Sequence, residues 1–314
     1  MIDFRYHLVS IISIFLALAV GIVLGAGPLQ GNLGSQLTDQ VSALRAEKQS
    51  LNDQLAASEA RVAAGDEYAS AVSGRVIDGT LTGHKVALIV LPSADGSLAD
   101  LVEEAVTSSG ATPGPRLTIS GEWFEPARAP ERADAAKAAA STLGIFSALT
   151  GDALLAEVLA RLAVSNDVVS ASESRTAALE TLTRAGLVDS STDAPEPADL
   201  AVVVSGSFTG DEAEVQRRSE TIRTLARLVA ENSAGAVVAG PEPVVSSGQR
   251  ISSDAVAAVR GADATAGVIS TVDHANDAAG PAIVVLALEA ELAGDVGHYG
   301  TAEGATAAVP RVAP

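Results

Sequence analysis

The sequence has 314 residues, of which 47% are hydrophobic and 19% charged. This proportion is typical of a packed domain and too apolar for a disordered chain. The formal net charge of −19 disfavours nucleic acid as a partner, because binding to phosphates depends on Lys and Arg. Cysteine is absent, which excludes disulfides, thiolate metal sites and cysteine nucleophiles.

The first predicted element is a membrane-spanning helix over residues 8–28. Twenty residues from Leu8 to Gly27 contain only Ser10 and Ser13 as polar side chains. At 1.5 Å per residue this run is roughly 30 Å long, which matches the apolar thickness of a bilayer. The alternative is a cleaved signal peptide, but its apolar region is only about 7–15 residues long and follows a basic leader. We therefore predict an uncleaved signal-anchor.

The orientation of this helix follows from the charges on either side of it. The leader carries Arg5 and the amino terminus, whereas Asp39 is the first charged residue on the far side. Positive charge is retained in the cytoplasm. The sequence therefore predicts a short cytoplasmic tail at residues 1–7 and an extracytoplasmic head, in a protein of the cell membrane or envelope.

Two glycines within the predicted span are spaced for helix packing. Gly21 and Gly25 form a G-x-x-x-G step, which lets two membrane helices approach closely. Glycine is also common in membrane helices that do not pair, so both interpretations stay open.

A coiled-coil stalk is predicted over residues 33–66. Apolar residues recur there at alternating steps of four and three, with Lys48 and Ser58 interrupting the seam. This is the a/d pattern of a coiled coil, although an amphipathic helix lying on the head would show a similar stripe. We predict association through this seam, as a homodimer or with a helix of another protein. The seam residues are Leu37, Val41, Leu44, Leu51, Leu55 and Val62.

The remainder, 76–314, is predicted to be one α/β head in which a mostly parallel sheet is covered by helices. Short apolar runs alternate with amphipathic segments along the chain, which is typical of β-α repeats. The predicted strands are 85–91, 116–119, 200–205, 236–239, 268–272 and 283–288. The predicted helices are 97–109, 132–140, 152–164, 173–185 and 211–232.

Sequence motifs that would indicate an enzyme are missing. The sequence has no G-x-S-x-G, Walker A or H-E-x-x-H pattern. The helix at 211–232 carries Arg217, Arg218, Arg223 and Arg227 interleaved with glutamates, which predicts a solvated face of mixed charge rather than a phosphate site. We therefore predict no enzymatic activity; the alternative is a Ser/His/acid triad dispersed along the chain, which leaves no such pattern in a sequence.

One candidate metal site lies near the C-terminus. Asp273 and His274 directly follow a predicted strand, where open α/β sheets place their ligands. The pair His298-Tyr299 stands between Gly297 and Gly300. If this C-terminal tail folds back on the head, His298 comes to the same edge of the sheet as Asp273 and His274. Carboxylate and imidazole are ligands for Cu(II) or Zn(II). The alternative is a turn at Asp273 and an ordered tail with its tyrosine packed on the head.

The two ends of the sequence resemble a known family. The opening Ile2-Asp3-Phe4-Arg5 with His7, followed by the apolar run 15–25, is similar to the mycobacterial copper transport protein B (MctB) family of actinobacterial envelope proteins. The stretch 270–273, Gly280, the run 284–288 and Gly297-His298-Tyr299-Gly300 resemble the C-terminal signature of that family. With the stalk and the α/β order between them, the resemblance spans nearly the whole chain.

The resemblance implies a role in copper homeostasis or efflux, with copper as the ion handled. It places Asp273 and His298 within the family-like motifs, whereas His274 departs from them. It also implies an alternative, a non-enzymatic envelope scaffold that regulates cell-wall hydrolysis at division through a membrane partner. One apolar helix cannot line a channel unless many copies associate, so the residues themselves do not favour a pore.

Overall fold

A computed structural model describes residues 4–165, 170–192, 195–241 and 251–311. Its contacts divide the chain into two compact units, Met1–Gly65 and Asp66–Pro314. Residues 1–3 of the predicted cytoplasmic tail lie outside the described residues, and they include Ile2 and Asp3 of the family-like opening. Residues 312–314, at the end of the predicted head, also lie outside them.

From Phe4 onward, the N-terminal unit is part of one helix, α1 (Phe4–Ile77). Its segment Phe4–Gly25 has a mean hydropathy of 2.8 and is the one candidate membrane span among the described residues. None of that segment is buried against the protein, and a side chain at Gly21 or Gly25 would meet no atom of the chain within 4 Å. The predicted apolar helix is therefore present, and its glycines leave open space.

The predicted stalk is helical throughout, as part of α1. Its seam residues are exposed, from 44% at Val41 to 63% at Leu44. A coiled coil needs a second helix, so association through this seam stays a prediction.

The head has nine described strands. They are β1 (Lys85–Val90), β2 (Thr112–Ile119), β3 (Val188–Ser190), β4 (Leu200–Val204), β5 (Phe208–Gly210), β6 (Gly235–Ala239), β7 (Ile251–Ser253), β8 (Ser270–Val272) and β9 (His298–Tyr299). Seven form one sheet in the order β3-β2-β1-β4-β6-β8-β9, parallel except for β3, while β5 and β7 pair separately. The prediction of a mostly parallel sheet is confirmed.

Helices cover both faces of the large sheet. The described helices of the head are α2 (Gly96–Ser108), α3 (Ala129–Leu143), α4 (Gly151–Ala163), α5 (Ser172–Arg184), α6 (Glu212–Asn232), α7 (Ala255–Arg260), α8 (Asp263–Ala266) and α9 (Gly280–Leu292). Two short 3₁₀ helices, Gly121–Phe124 and Pro126–Arg128, precede α3.

Alternate residues of each central strand face two separate cores. Ala87 and Ile89 of β1 join the core formed with α3–α7, whereas Val86 and Leu88 join the core formed with α2 and α9. The end of α1 contributes Ile77 to the second core, where it is 2% exposed. Both faces of the sheet are therefore buried, which explains why its strands are continuously apolar.

The predicted strand at 283–288 is wrong, because this run lies in α9. Pro281 stands in the first turn, where proline favours a helix, and Val284, Val285 and Leu288 are buried. A short apolar run without periodicity fits a buried helix as well as a buried strand. The edge of the sheet is instead formed by the two-residue strand β9.

Candidate functional site

A buried ion pair organises the predicted metal site. Arg260 at the end of α7 donates from Nη1 to Oδ2 of Asp273 over 2.7 Å, and the two side chains are only 4% and 1% exposed. The Asp273 carboxylate also accepts hydrogen bonds from the backbone N–H groups of Thr301 (2.9 Å) and Ala302 (3.2 Å) and from Nδ1 of His274. Four donors therefore fill the acceptor positions of this carboxylate.

These contacts set the protonation state of Asp273. Burial opposes ionisation, but the hydrogen bonds from Thr301, Arg260 and His274 outweigh it, so that the pKa of Asp273 lies below its ordinary value. The carboxylate is thus a fixed negative charge, neutralised by the Arg260 guanidinium.

His298 is connected to the same arginine through Thr271. Arg260 Nε donates to Oγ1 of Thr271 over 2.8 Å, and this hydroxyl lies 2.9 Å from Nδ1 of His298. The Thr271 hydroxyl has two lone pairs and one proton, so while it accepts from Arg260 it can either donate to Nδ1 of His298 or accept from it, according to the tautomer of the ring. Burial and the charge of Arg260 lower the pKa of His298, in agreement with a neutral ring.

His274 lies at the surface of the cluster. Its side chain is 23% exposed, Nδ1 contacts Asp273, and Nε2 lies 3.3 Å from Oγ1 of Thr301. Its φ angle of 55° is unusual for a residue with a side chain. The structure therefore brings all three predicted ligands into one network, with Asp273 at its centre.

Glycines of the family-like motif let the tail approach this network. A side chain at Gly300, whose φ angle is 125°, would overlap the Asp273 carboxylate, and one at Gly297 would overlap the Tyr299 ring. Arg260 also donates from Nη2 to the Tyr299 carbonyl over 2.9 Å. The motif Gly297-His298-Tyr299-Gly300 thus has a structural explanation: it holds β9 and the tail against β8.

As arranged, the cluster does not present a ready metal site. Among the described residues, no group of three or more His, Asp or Glu side chains is placed to hold a metal ion. Copper ligation by Asp273, His274 and His298 would require Arg260 and Thr271 to give up hydrogen bonds. The metal site stays a prediction, and it requires the loss of these hydrogen bonds.

A second region lies at the carboxyl edge of the sheet. The strand order reverses between β1 and β4, and this switch point is where open α/β sheets bind ligands. The loops that follow these two strands contact each other, because Ser93 Oγ donates to the Gly206 carbonyl over 2.9 Å. A side chain at Gly206 would overlap the Ser93 carbonyl, so the loops close the crevice at this point.

A small cavity lies beside this closed point, on the face covered by α3, α4 and α6. It has a volume of about 220 Å³ and is lined by Trp123, Phe124, Pro126, Ala129, Arg132, Asp152, Glu214, Arg217, Arg218 and Thr221. Sequence reasoning missed the cavity, although the predicted face of mixed charge is present: Arg217 is exposed and Arg218 pairs with Glu214. The single tryptophan, in a sequence with 3% aromatic residues, was a signal that could have indicated the cavity.

Fold and site together define a class: a doubly wound α/β head that follows a helix long and apolar enough to cross a membrane. The chain belongs to the MctB family, since the family model described as "Copper transport outer membrane protein, MctB" matches residues 1–310. The resemblance inferred from the two ends of the sequence is thereby confirmed.

Curated relatives agree with this assignment. The chain is 29% identical over 317 residues to the "Copper transporter MctB" of Mycobacterium tuberculosis (strain ATCC 25618 / H37Rv), covering 97% of this chain and 98% of the relative. It is 29% identical over 321 residues to the protein of the same name from Mycobacterium leprae (strain TN), covering 98% of both chains.

Proposed function

We propose that this chain is a membrane-anchored envelope protein that takes part in copper homeostasis or efflux, without enzymatic activity. The observation that carries this proposal is the family match over residues 1–310, together with relatives named as copper transporters. The apolar helix Phe4–Gly25 supports attachment to a membrane. In this proposal copper is the ion handled, not a resident cofactor.

The ligands proposed for copper are Asp273, His274 and His298, which the fold gathers around Arg260. Imidazole and carboxylate suit Cu(II), whereas soft sulfur ligands are missing apart from the initiator Met1. His274 is the exposed member and would meet an incoming ion first. Asp273 and His298 would bind the ion only if their present hydrogen bonds, to Arg260 and Thr271, are replaced by bonds to copper.

The test is Cu(II) binding by the full chain in lipid nanodiscs. Copper content and affinity are measured for the unmodified chain and for His274→Gln and His298→Gln. The matched control is His84→Gln, since His84 contacts Asp199 outside the cluster. We expect one tightly bound Cu(II) that both cluster variants lose and the control retains. Binding of equal strength in all four chains would contradict these ligands.

A second function is supported by the exposed seam of α1. Leu37, Leu44, Leu51 and Leu55 are each 58–63% exposed in the single chain. Such a stripe favours a binding surface for another helix, in agreement with a scaffold that regulates cell-wall hydrolysis through a membrane partner. Copper-independent capture of that partner, lost when the seam is broken, would favour the scaffold over copper handling.

A further inference from the structure

We propose that the cavity lined by Trp123, Arg217 and Arg218 binds a small organic carboxylate. This cavity shares no lining residue with the Asp273 cluster, and its occupation by a ligand does not depend on copper handling. The proposal rests on N–H groups of residues that line this cavity and that have no hydrogen-bond acceptor in the part of the chain that the structure describes.

The first observation is a buried donor. Trp123 is 1% exposed, and its indole Nε1–H has no hydrogen-bond partner among the described residues. A buried N–H group without an acceptor is costly, and native structures rarely contain one. Arg218 has a second such donor, its Nε–H, beside the same cavity.

The second observation is an excess of positive charge in a strongly acidic protein. Arg132 forms two hydrogen bonds with Asp152, at 2.8 and 3.0 Å, and Arg218 pairs with Glu214 at 2.7 Å. Arg217, which is exposed to solvent, also lines the cavity, and no carboxylate of the described residues pairs with it. The lining is therefore one positive charge in excess, although the whole sequence has a net charge of −19.

The chemistry of the lining selects the class of ligand. One unpaired guanidinium with two further N–H donors matches the planar fork of a single carboxylate. Asp152 and Glu214 would repel a doubly charged phosphate. Trp123, Phe124 and Pro126 supply an apolar wall for a carbon skeleton, and the volume of about 220 Å³ restricts the ligand to a small molecule.

The position in the fold agrees with a ligand site. The 3₁₀ helix that carries Trp123 follows β2, and α6 with its arginines follows β4 and β5. The strands β2 and β4 flank β1 on either side, so both elements start from the carboxyl edge of the sheet. Ligands of open α/β sheets bind at this edge.

Trp123 is the only tryptophan of the sequence and therefore reports on this cavity directly. The test titrates the full chain in nanodiscs with benzoate, and separately with inorganic phosphate, while tryptophan fluorescence is recorded. The variant is Arg217→Gln, and the control is Arg227→Gln, whose arginine lies on the same helix but pairs with Glu231 at 2.6 Å. Calorimetry repeats the titrations for Trp123→Phe.

We expect saturable binding of benzoate that is weakened about tenfold or more by Arg217→Gln and unchanged by the control. Trp123→Phe, which keeps the apolar wall but removes the indole donor, is expected to weaken binding as well. Absence of saturable binding, or equal affinity in Arg217→Gln, would overturn the proposal and leave the cavity to water. Tighter binding of phosphate than of benzoate would overturn the assignment to carboxylates.

Discussion

Arg260 connects three parts of the C-terminal region through one side chain. It contacts Asp273 after β8, Thr271 within β8, and the Tyr299 carbonyl of β9. Each of these contacts is a single hydrogen bond, but together they tie α7, β8 and the tail into one unit. Such a buried network stabilises only when every member is satisfied, and the removal of one member leaves the others unpaired.

We therefore expect Arg260→Leu to lower the free energy of unfolding by about 3–5 kcal/mol, because it leaves the Asp273 carboxylate buried and uncompensated. Urea unfolding of the full chain in detergent, followed by Trp123 fluorescence, measures this change. Adding Asp273→Asn to the same chain should recover part of the loss, since it removes the uncompensated charge.

The control for this prediction is Arg227→Leu, which removes a partly exposed pair with Glu231. A loss below about 1 kcal/mol is expected there. A similarly small loss for Arg260→Leu would show that the ion pair does not hold the C-terminal region together.

The carboxylate of Glu291, which contacts Ser270 at the start of β8, makes the stability of the head depend on pH. Burial raises the pKa of Glu291, although the Ser270 N–H donates to its Oε1 over 2.6 Å and opposes this shift. With the folded pKa above the unfolded value of about 4.3, the contribution of Glu291 to stability is fully present below that pH and is lost as the pH rises through the folded pKa.

Glu291→Gln keeps the acceptor for Ser270 and removes this loss. We expect the variant to gain stability relative to the unmodified chain between pH 4.5 and pH 7, measured by urea unfolding at each pH. Glu104→Gln, at an exposed position, controls for the change in net charge. A constant difference between the two chains across that range would contradict the raised pKa.

At the scale of elements, strands buried on both faces were predictable from the sequence. The runs at β1, β4 and β6 are short, apolar and followed by helical periodicity, and the structure confirms them. The run within α9 has the same composition; it follows Pro281 in the first turn of the helix and packs in one core with α2 and the sheet. The edge strand β9 has two residues, which is too short for any periodic signal.

The candidate sites differ in how far the sequence could indicate them. Asp273 and His298 were found because a strand end and a glycine-flanked tail are local patterns. Arg260, which contacts Asp273 directly and reaches His298 through Thr271, was missed, since it is the last residue of a short helix and its role depends on long-range contacts. Trp123 and Arg217 line one cavity although 94 positions of sequence separate them, which no local pattern can report.

For the single element α1, the prediction concerns self-association through the seam of the stalk. Charged residues at Leu44 and Leu51 would stand at the centre of the seam if α1 pairs with a second helix. Leu44→Asp with Leu51→Asp should therefore abolish self-association, because two carboxylates per chain would be buried in the interface. Sedimentation of the full chain in detergent measures the oligomeric state.

The matched control introduces the same charges on the other side of the helix, as Ala46→Asp with Ala57→Asp. Both positions lie outside the a/d seam and both are exposed. The control chain should associate as the unmodified one does. A monomer in all three chains would contradict a homodimer and favour a helix of another protein as partner.

At the scale of the whole molecule, the distribution of charge bears on orientation. The apolar segment Phe4–Gly25 precedes a head that contains most of the acidic residues. The positive charge near the N-terminus predicts that the head lies outside the cytoplasm. An acidic head would also avoid the anionic surface of the membrane that anchors it.

The absence of cysteine permits a direct measurement of this orientation. A single cysteine is introduced by Lys137→Cys on the exposed face of α3, or by Asp3→Cys ahead of α1. In intact spheroplasts, a membrane-impermeant maleimide should label the first variant and spare the second, and detergent lysis should make both reactive. Because the unmodified chain has no thiol, any label reports only the introduced position. Labelling of Asp3→Cys alone before lysis would reverse the orientation and place the Asp273 cluster and the Arg217 cavity in the cytoplasm.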